Sequence, residues 1–217
     1  MPHENRTVHR SRLATIMASK GTIRSMRISA ELDARLRNLA EEKGESVNAI
    51  VEAELTKLVE FDKFTDEMAY TTVRKAWLSK LIEYLSEDEI REFGRWSAVG
   101  PSSETVHFYH GTMDLDSLLE TYEEIGSKYG KFFTFRHESD GTTHTIVLNH
   151  GMGMKWSIFL DANLKKVFRD VIGLDLTTRL SDNIFFGRFE APTEKPASAG
   201  ATSLTNRCLA QRRNPIS

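Results

Sequence analysis

Residues 22–59 constrain this chain more than any other stretch. A short alternating segment, Thr22 to Ile28, is followed by two amphipathic runs broken at Lys43-Gly44-Glu45-Ser46. In the first run Leu32, Leu36, Leu39 and Ala40 recur at i, i+4, i+7 and i+8, one apolar helical stripe. Ser29 stands where an N-cap belongs, Glu31 and Asp33 suit the positive end of the helix dipole, and Gly44 suits the C′ position. The second run carries Val47, Ile50, Val51, Leu55 and Leu58, capped by Ser46 or Asn48. Thr22–Ile28 reads as a strand, with Met26 and Ile28 on one face and Ser25 and Arg27 on the other. So small a segment cannot bury its own apolar residues, which predicts pairing with a second copy of the chain.

The chain as a whole divides into five parts. Residues 1–20 form a basic arm expected to be flexible, 21–60 the paired-helix domain, 61–100 a helical connector, 103–190 a second folded domain, and 191–217 a tail expected to be disordered. The connector shows Val73, Trp77, Leu81 and Leu85 at four-residue intervals, then a capping box from Ser86 to Glu89. Ala98-Val99-Gly100-Pro101-Ser102-Ser103 reads as a linker. Beyond it, strands are predicted at 105–109, 132–138 and 143–149, while 174–180 and 184–189 supply one strand or a final hairpin. Helices are predicted at 115–129, capped by Asp114, and at 154–172, closed by Gly173. The order β-α-β-β-α-β is the ferredoxin-like pattern, and the fold class expected is α+β.

Charge is distributed unevenly. Residues 1–37 hold eight Lys and Arg against three acids, whereas residues 38–190 hold 17 bases and 27 acids. A basic front on an acidic body localises attraction for phosphate at one end. No apolar stretch approaches the roughly 20 residues that span a bilayer, and the N-terminus lacks an apolar signal core. The single cysteine, Cys208, has no intrachain partner, so a reducing, cytoplasmic setting is expected. No nucleophile–base pair and no paired carboxylates have catalytic spacing, and an enzyme is not expected.

The order Arg24-Ser25-Met26-Arg27-Ile28-Ser29, Leu36…Leu39-Ala40, Gly44-Glu45-Ser46 and Ala49…Val51…Leu55 resembles the ribbon-helix-helix family of Arc, MetJ and CopG-type repressors. The resemblance covers about 35 residues. It implies a homodimer, or a higher homo-oligomer, whose paired strands enter the major groove of double-stranded DNA. By that resemblance Ser25 and Arg27 read bases, with Ile23 in register on the same face and Arg24 facing the opposite way or reaching the backbone. An Arg fork can bond guanine O6 and N7 together. Ser46, Val47 and Asn48 open a helix whose free amides suit a phosphate. The function implied is a sequence-specific transcription regulator; the alternative is an antitoxin-like or protein-interaction module that uses the ribbon for dimerisation.

Five histidines fall between residues 107 and 150. With Asp140-Gly141 as a two-residue hairpin loop, His137 sits opposite His144, close enough to share a metal or ligand, and His110 at the end of the first strand could join them. The layout is loosely similar to nickel-responsive ribbon-helix-helix repressors, which use three histidines and a cysteine; residues 103–190 contain no cysteine. No cofactor is otherwise indicated, and the sequence names no effector. The loop His150-Gly151-Met152-Gly153 lacks both phosphate-loop and dinucleotide fingerprints.

Overall fold

The computed structural model describes residues 22–191. The basic arm, the tail beyond Ala191 and Cys208 lie outside the described residues. The chain separates into two compact units, residues 1–59 and 60–217. Among the described residues no helix is long and apolar enough to cross a membrane.

In the first unit, α1 (Ala30–Lys43) and α2 (Val47–Glu60) follow the predicted caps closely. Ser29 Oγ accepts from the Leu32 amide at 3.1 Å, and Gly44 adopts φ 65°, donating its amide to the carbonyls of Ala40 and Glu41. A left-handed residue here satisfies orphan carbonyls at the helix end. Ser46 Oγ accepts from the Ala49 amide at 3.0 Å. The predicted strand does not form. Residues 22–29 have no regular structure, because a strand exists only within a ladder and the one sheet contains no segment of this unit. An N-terminal ribbon is therefore not an element of this fold. Only Ala40 and Ile50 are buried in α1 and α2, while Met26, Leu32, Leu55 and Leu58 are 45–64% exposed.

The second unit is α+β with a different topology from the ferredoxin-like one expected. After α3 (Lys75–Glu83) and α4 (Glu87–Ser97), the predicted strand at 105–109 is instead α5 (Ser103–His110). Alternation of β-branched and aromatic residues suggested a strand, but Val106, Tyr109 and His110 are the buried positions, the i, i+3, i+4 pattern of a helix face. Ser103 Oγ and Thr105 Oγ1 bond back to the carbonyls of Ala98 and Pro101, and Gly111 closes the helix at φ 69°. α6 (Leu115–Thr121), capped by Asp114, continues as a wider π-type helix through Tyr129. β1 (Thr134–Asp140) and β2 (Thr143–Asn149) make one hairpin; α7 (Met154–Val167) leads to a second, β3 (Thr177–Leu180) and β4 (Ile184–Glu190). The sheet order is β1-β2-β4-β3, with every neighbouring pair antiparallel. Without the first strand there is no parallel pair, and so no split βαβ unit.

The expected connector and linker are part of this unit's core. Ile82, Ile90 and Ala98 are buried in one cluster with Leu118, Ile146, Leu148, Leu164, Phe168 and Phe185. The chain bends rather than ends at Gly100-Pro101, where Gly100 leaves helical geometry (φ −101°, ψ −109°). Gly94 explains how closely α4 lies on α7: a Cβ there would stand 2.6 Å from the Phe159 carbonyl oxygen and 2.9 Å from Ala162 Cβ.

Candidate nucleic-acid interface and the histidine positions

All residues from Thr22 to Ala30 are exposed, Ile23 to 93%. Residues 22–28 form no strand, so no pleat sorts Ile23, Ser25 and Arg27 onto one face and Arg24, Met26 and Ile28 onto the other. Charge in this unit is partly neutralised on α1, where Arg37 Nε bonds Asp33 at 2.8 Å and Arg35 approaches Glu31 at 3.6 Å. Arg24 and Arg27 make no ion pair among the described residues, which leaves their guanidinium groups available to an external anion. Ser46 and Asn48 are exposed at the start of α2. The Ser46 hydroxyl is committed to the cap, whereas the first-turn amides of Val47 and Asn48 precede the intrahelical bonding pattern.

His137 and His144 do meet, in a register shifted from the expected one. Gly141 and Thr142 form the loop, with Gly141 at φ 64°, so His137 pairs with Ile146 and His144 with Ser139. The loop moves by one residue and each pairing by two, which preserves the face. The imidazoles become diagonal neighbours, with His137 Nε2 2.9 Å from His144 Nδ1. Their rings stack at 5.1 Å, and His144 stacks on Phe189 at 5.0 Å. His110 does not share their strand setting. It is buried on α5, with Nε2 3.0 Å from Thr121 Oγ1 and Nδ1 3.8 Å from Glu120. Among the described residues no three His, Cys, Asp or Glu side chains are grouped to hold a metal. The structure therefore brings His137 and His144 together but leaves His110 apart from them.

The loop after β2 serves the interior. His150 is 1% exposed; its Nε2 lies 2.8 Å from Ser157 Oγ, and its Nδ1 accepts from the Met152 amide at 3.1 Å. Ser157, fully buried, donates to the Ser181 carbonyl at 2.6 Å. That fixes the tautomer: Ser157 Oγ accepts, so His150 carries its proton on Nε2. Burial, then the nearby Lys75 charge, holds its pKa down to about 4. The amides of His150 and Gly151 point to the Asn183 carbonyl at 2.9 and 3.4 Å. With three consecutive amides directed to internal acceptors, the loop is a structural knot rather than an anion cradle.

Sequence reasoning missed one polar constellation. Arg91 and Arg95 on α4, Lys165 and Lys166 near the end of α7, and Arg169 in the π-type turn that continues it (Phe168–Ile172) line a common cleft. About 70 residues separate the two groups, and neither has a motif. No family model matches the chain, and no curated protein matches it.

Proposed function

We propose that the chain is a sequence-specific DNA-binding transcription regulator acting as a homodimer. The first unit contacts DNA and the second serves sensing or further assembly. The observation that carries this reading is the exposed segment 22–28, where Arg24 and Arg27 make no ion pair among the described residues, leading into two helices with capped N-termini that bury only Ala40 and Ile50. Such a unit has apolar side chains to give to a second copy, and a dimer doubles the number of cations presented to DNA. Ile23, Ser25 and Arg27 are assigned to base edges. Arg24 and the α2 start at Ser46 and Asn48 are assigned to phosphates, which position a protein without specifying sequence.

The test is DNA affinity against salt for wild type and Arg27→Ala, using genomic fragments that include the protein's own upstream region. Wild type selects a fragment, with a log–log salt slope near ~−0.9 per phosphate neutralised. Arg27→Ala loses the selection, by roughly 1–3 kcal/mol, and keeps nonspecific binding. Absence of DNA binding at low salt would sink the reading.

A second reading, a protein-interaction module that dimerises through its first unit, is favoured by the aromatic surface of the second. Trp77 and Leu81 on α3 and Tyr84 at its C-cap are 68, 63 and 77% exposed, and Trp96 on α4 is 58% exposed. Trp77→Ala with Tyr84→Ala would abolish partner binding under this reading and leave DNA affinity unchanged under the first.

A further inference from the structure

The second unit is acidic, with 15 Lys and Arg against 22 Asp and Glu in residues 60–190. Five of those bases nevertheless line one cleft of about 260 Å³ between α4 and the end of α7. Their convergence has a definite cause. Gly94 lies between Arg91 and Arg95 and lets α4 pack against the α7 backbone, where Asn163 Nδ2 also donates to the Gly94 carbonyl at 3.3 Å. The arginines flanking that crossing are thereby brought beside Lys165, Lys166 and Arg169.

Internal acids balance the cleft only in part. Asp161 lies between Lys165, at 2.8 Å, and Arg91, at 3.9 Å, and also accepts from Thr178 Oγ1 at 2.5 Å; Arg91 has a second acid, Glu87, at 3.5 Å along α4 in an exposed pair. Lys166 pairs with Asp170 along its own helix. Arg169 reaches only Asp175, at 3.7 Å with that carboxylate 92% exposed, a geometry worth little in water. Arg95 makes no ion pair among the described residues. The lining therefore holds five cations and two anions, and a concave site with a net positive lining concentrates its field on a small anion. Guanidinium forks match phosphate oxygens in bidentate geometry. Ala162 is the sole apolar lining residue, so the cleft offers no platform for a base or ring.

We propose that this cleft binds a compact small-molecule anion bearing two or more phosphate groups. The site shares no residue with the segment assigned to DNA and stands independently of that reading.

Isothermal titration of the full chain with tripolyphosphate, at about 50 and 200 mM chloride, tests it. One-site binding is expected, weakened at least tenfold by Arg95→Ala and lost in Arg95→Ala with Arg169→Ala. Both side chains are exposed, so neither substitution opens the core. Arg136→Ala, on the sheet, and Arg27→Ala bind as wild type does. No binding by wild type, or equal weakening by Arg136→Ala or Arg27→Ala, would overturn the proposal. A random duplex that displaces tripolyphosphate from wild type and loses affinity with Arg95→Ala would also overturn it, making the cleft a nucleic-acid backbone contact. Loss of DNA selection by Arg27→Ala with tripolyphosphate binding intact separates the two sites.

Discussion

Protonating His150 would put an N–H on Nδ1, where the Met152 amide already donates at 3.1 Å. The neutral ring is therefore tied to the fold by geometry as well as by burial. The sign of the pH dependence follows. The unfolded chain takes up this proton near the ordinary pKa of 6.5, the folded chain only near 4. Stability is thus level above about pH 6.5, falls as pH drops towards 4, and levels again below, a loss on the order of 3 kcal/mol. Urea denaturation at pH 7 and pH 5 checks it. Wild type should lose stability across that interval, and His150→Gln should be weaker at pH 7 but flatter with pH. At the same scale the hairpin histidines show what residue spacing conveys: His137 and His144 were brought together as their alternation required, with a register set by Gly141 rather than Asp140.

Among the elements, helix ends were the most readable feature. Ser29, Gly44, Ser86, Asp114 and Gly173 all act where local chemistry placed them. Ser29→Ala should cost about 1 kcal/mol of α1 stability, because the Leu32 amide loses its acceptor, and thermal unfolding followed by circular dichroism measures it. Gly94→Ala tests the α4–α7 crossing. The new methyl would meet backbone oxygen and the Ala162 methyl inside contact distance, so a destabilisation of about 1–3 kcal/mol is expected in urea titration. An effect near zero would mean that the helices separate without cost. The segments misread, 22–28 and 105–109, share a cause. Each is short and alternating, and a strand requires a partner that neither segment names. The first finds none in the sheet, and the second is drawn into a helix by burial of Val106, Tyr109 and His110.

For the molecule as a whole, the two units differ in how fully they bury themselves. The second has a continuous core from Ile82 to Ala191, whereas α1 and α2 of the first bury two side chains. Under the homodimer reading the full chain should sediment as a dimer at micromolar concentration. Leu55→Glu should shift it towards monomer and weaken DNA binding, while the near-ultraviolet signal of the tryptophans, Trp77, Trp96 and Trp156, all in the second unit, stays unchanged. Sedimentation velocity distinguishes the outcomes, and a wild type that remains monomeric would remove the basis of the proposed function.

The sequence alone determined the local features: helix caps, the glycine turns, the hairpin through Gly141, the paired helices at the front and the uneven charge along the chain. These depend on residues within a few positions of one another, where propensity and periodicity act directly. Tertiary structure alone decided the antiparallel β1-β2-β4-β3 order, the absorption of residues 75–98 into the core, the isolation of His110 from the other histidines, and the basic cleft. Each joins residues tens of positions apart, and packing rather than spacing chooses among the arrangements that local chemistry allows.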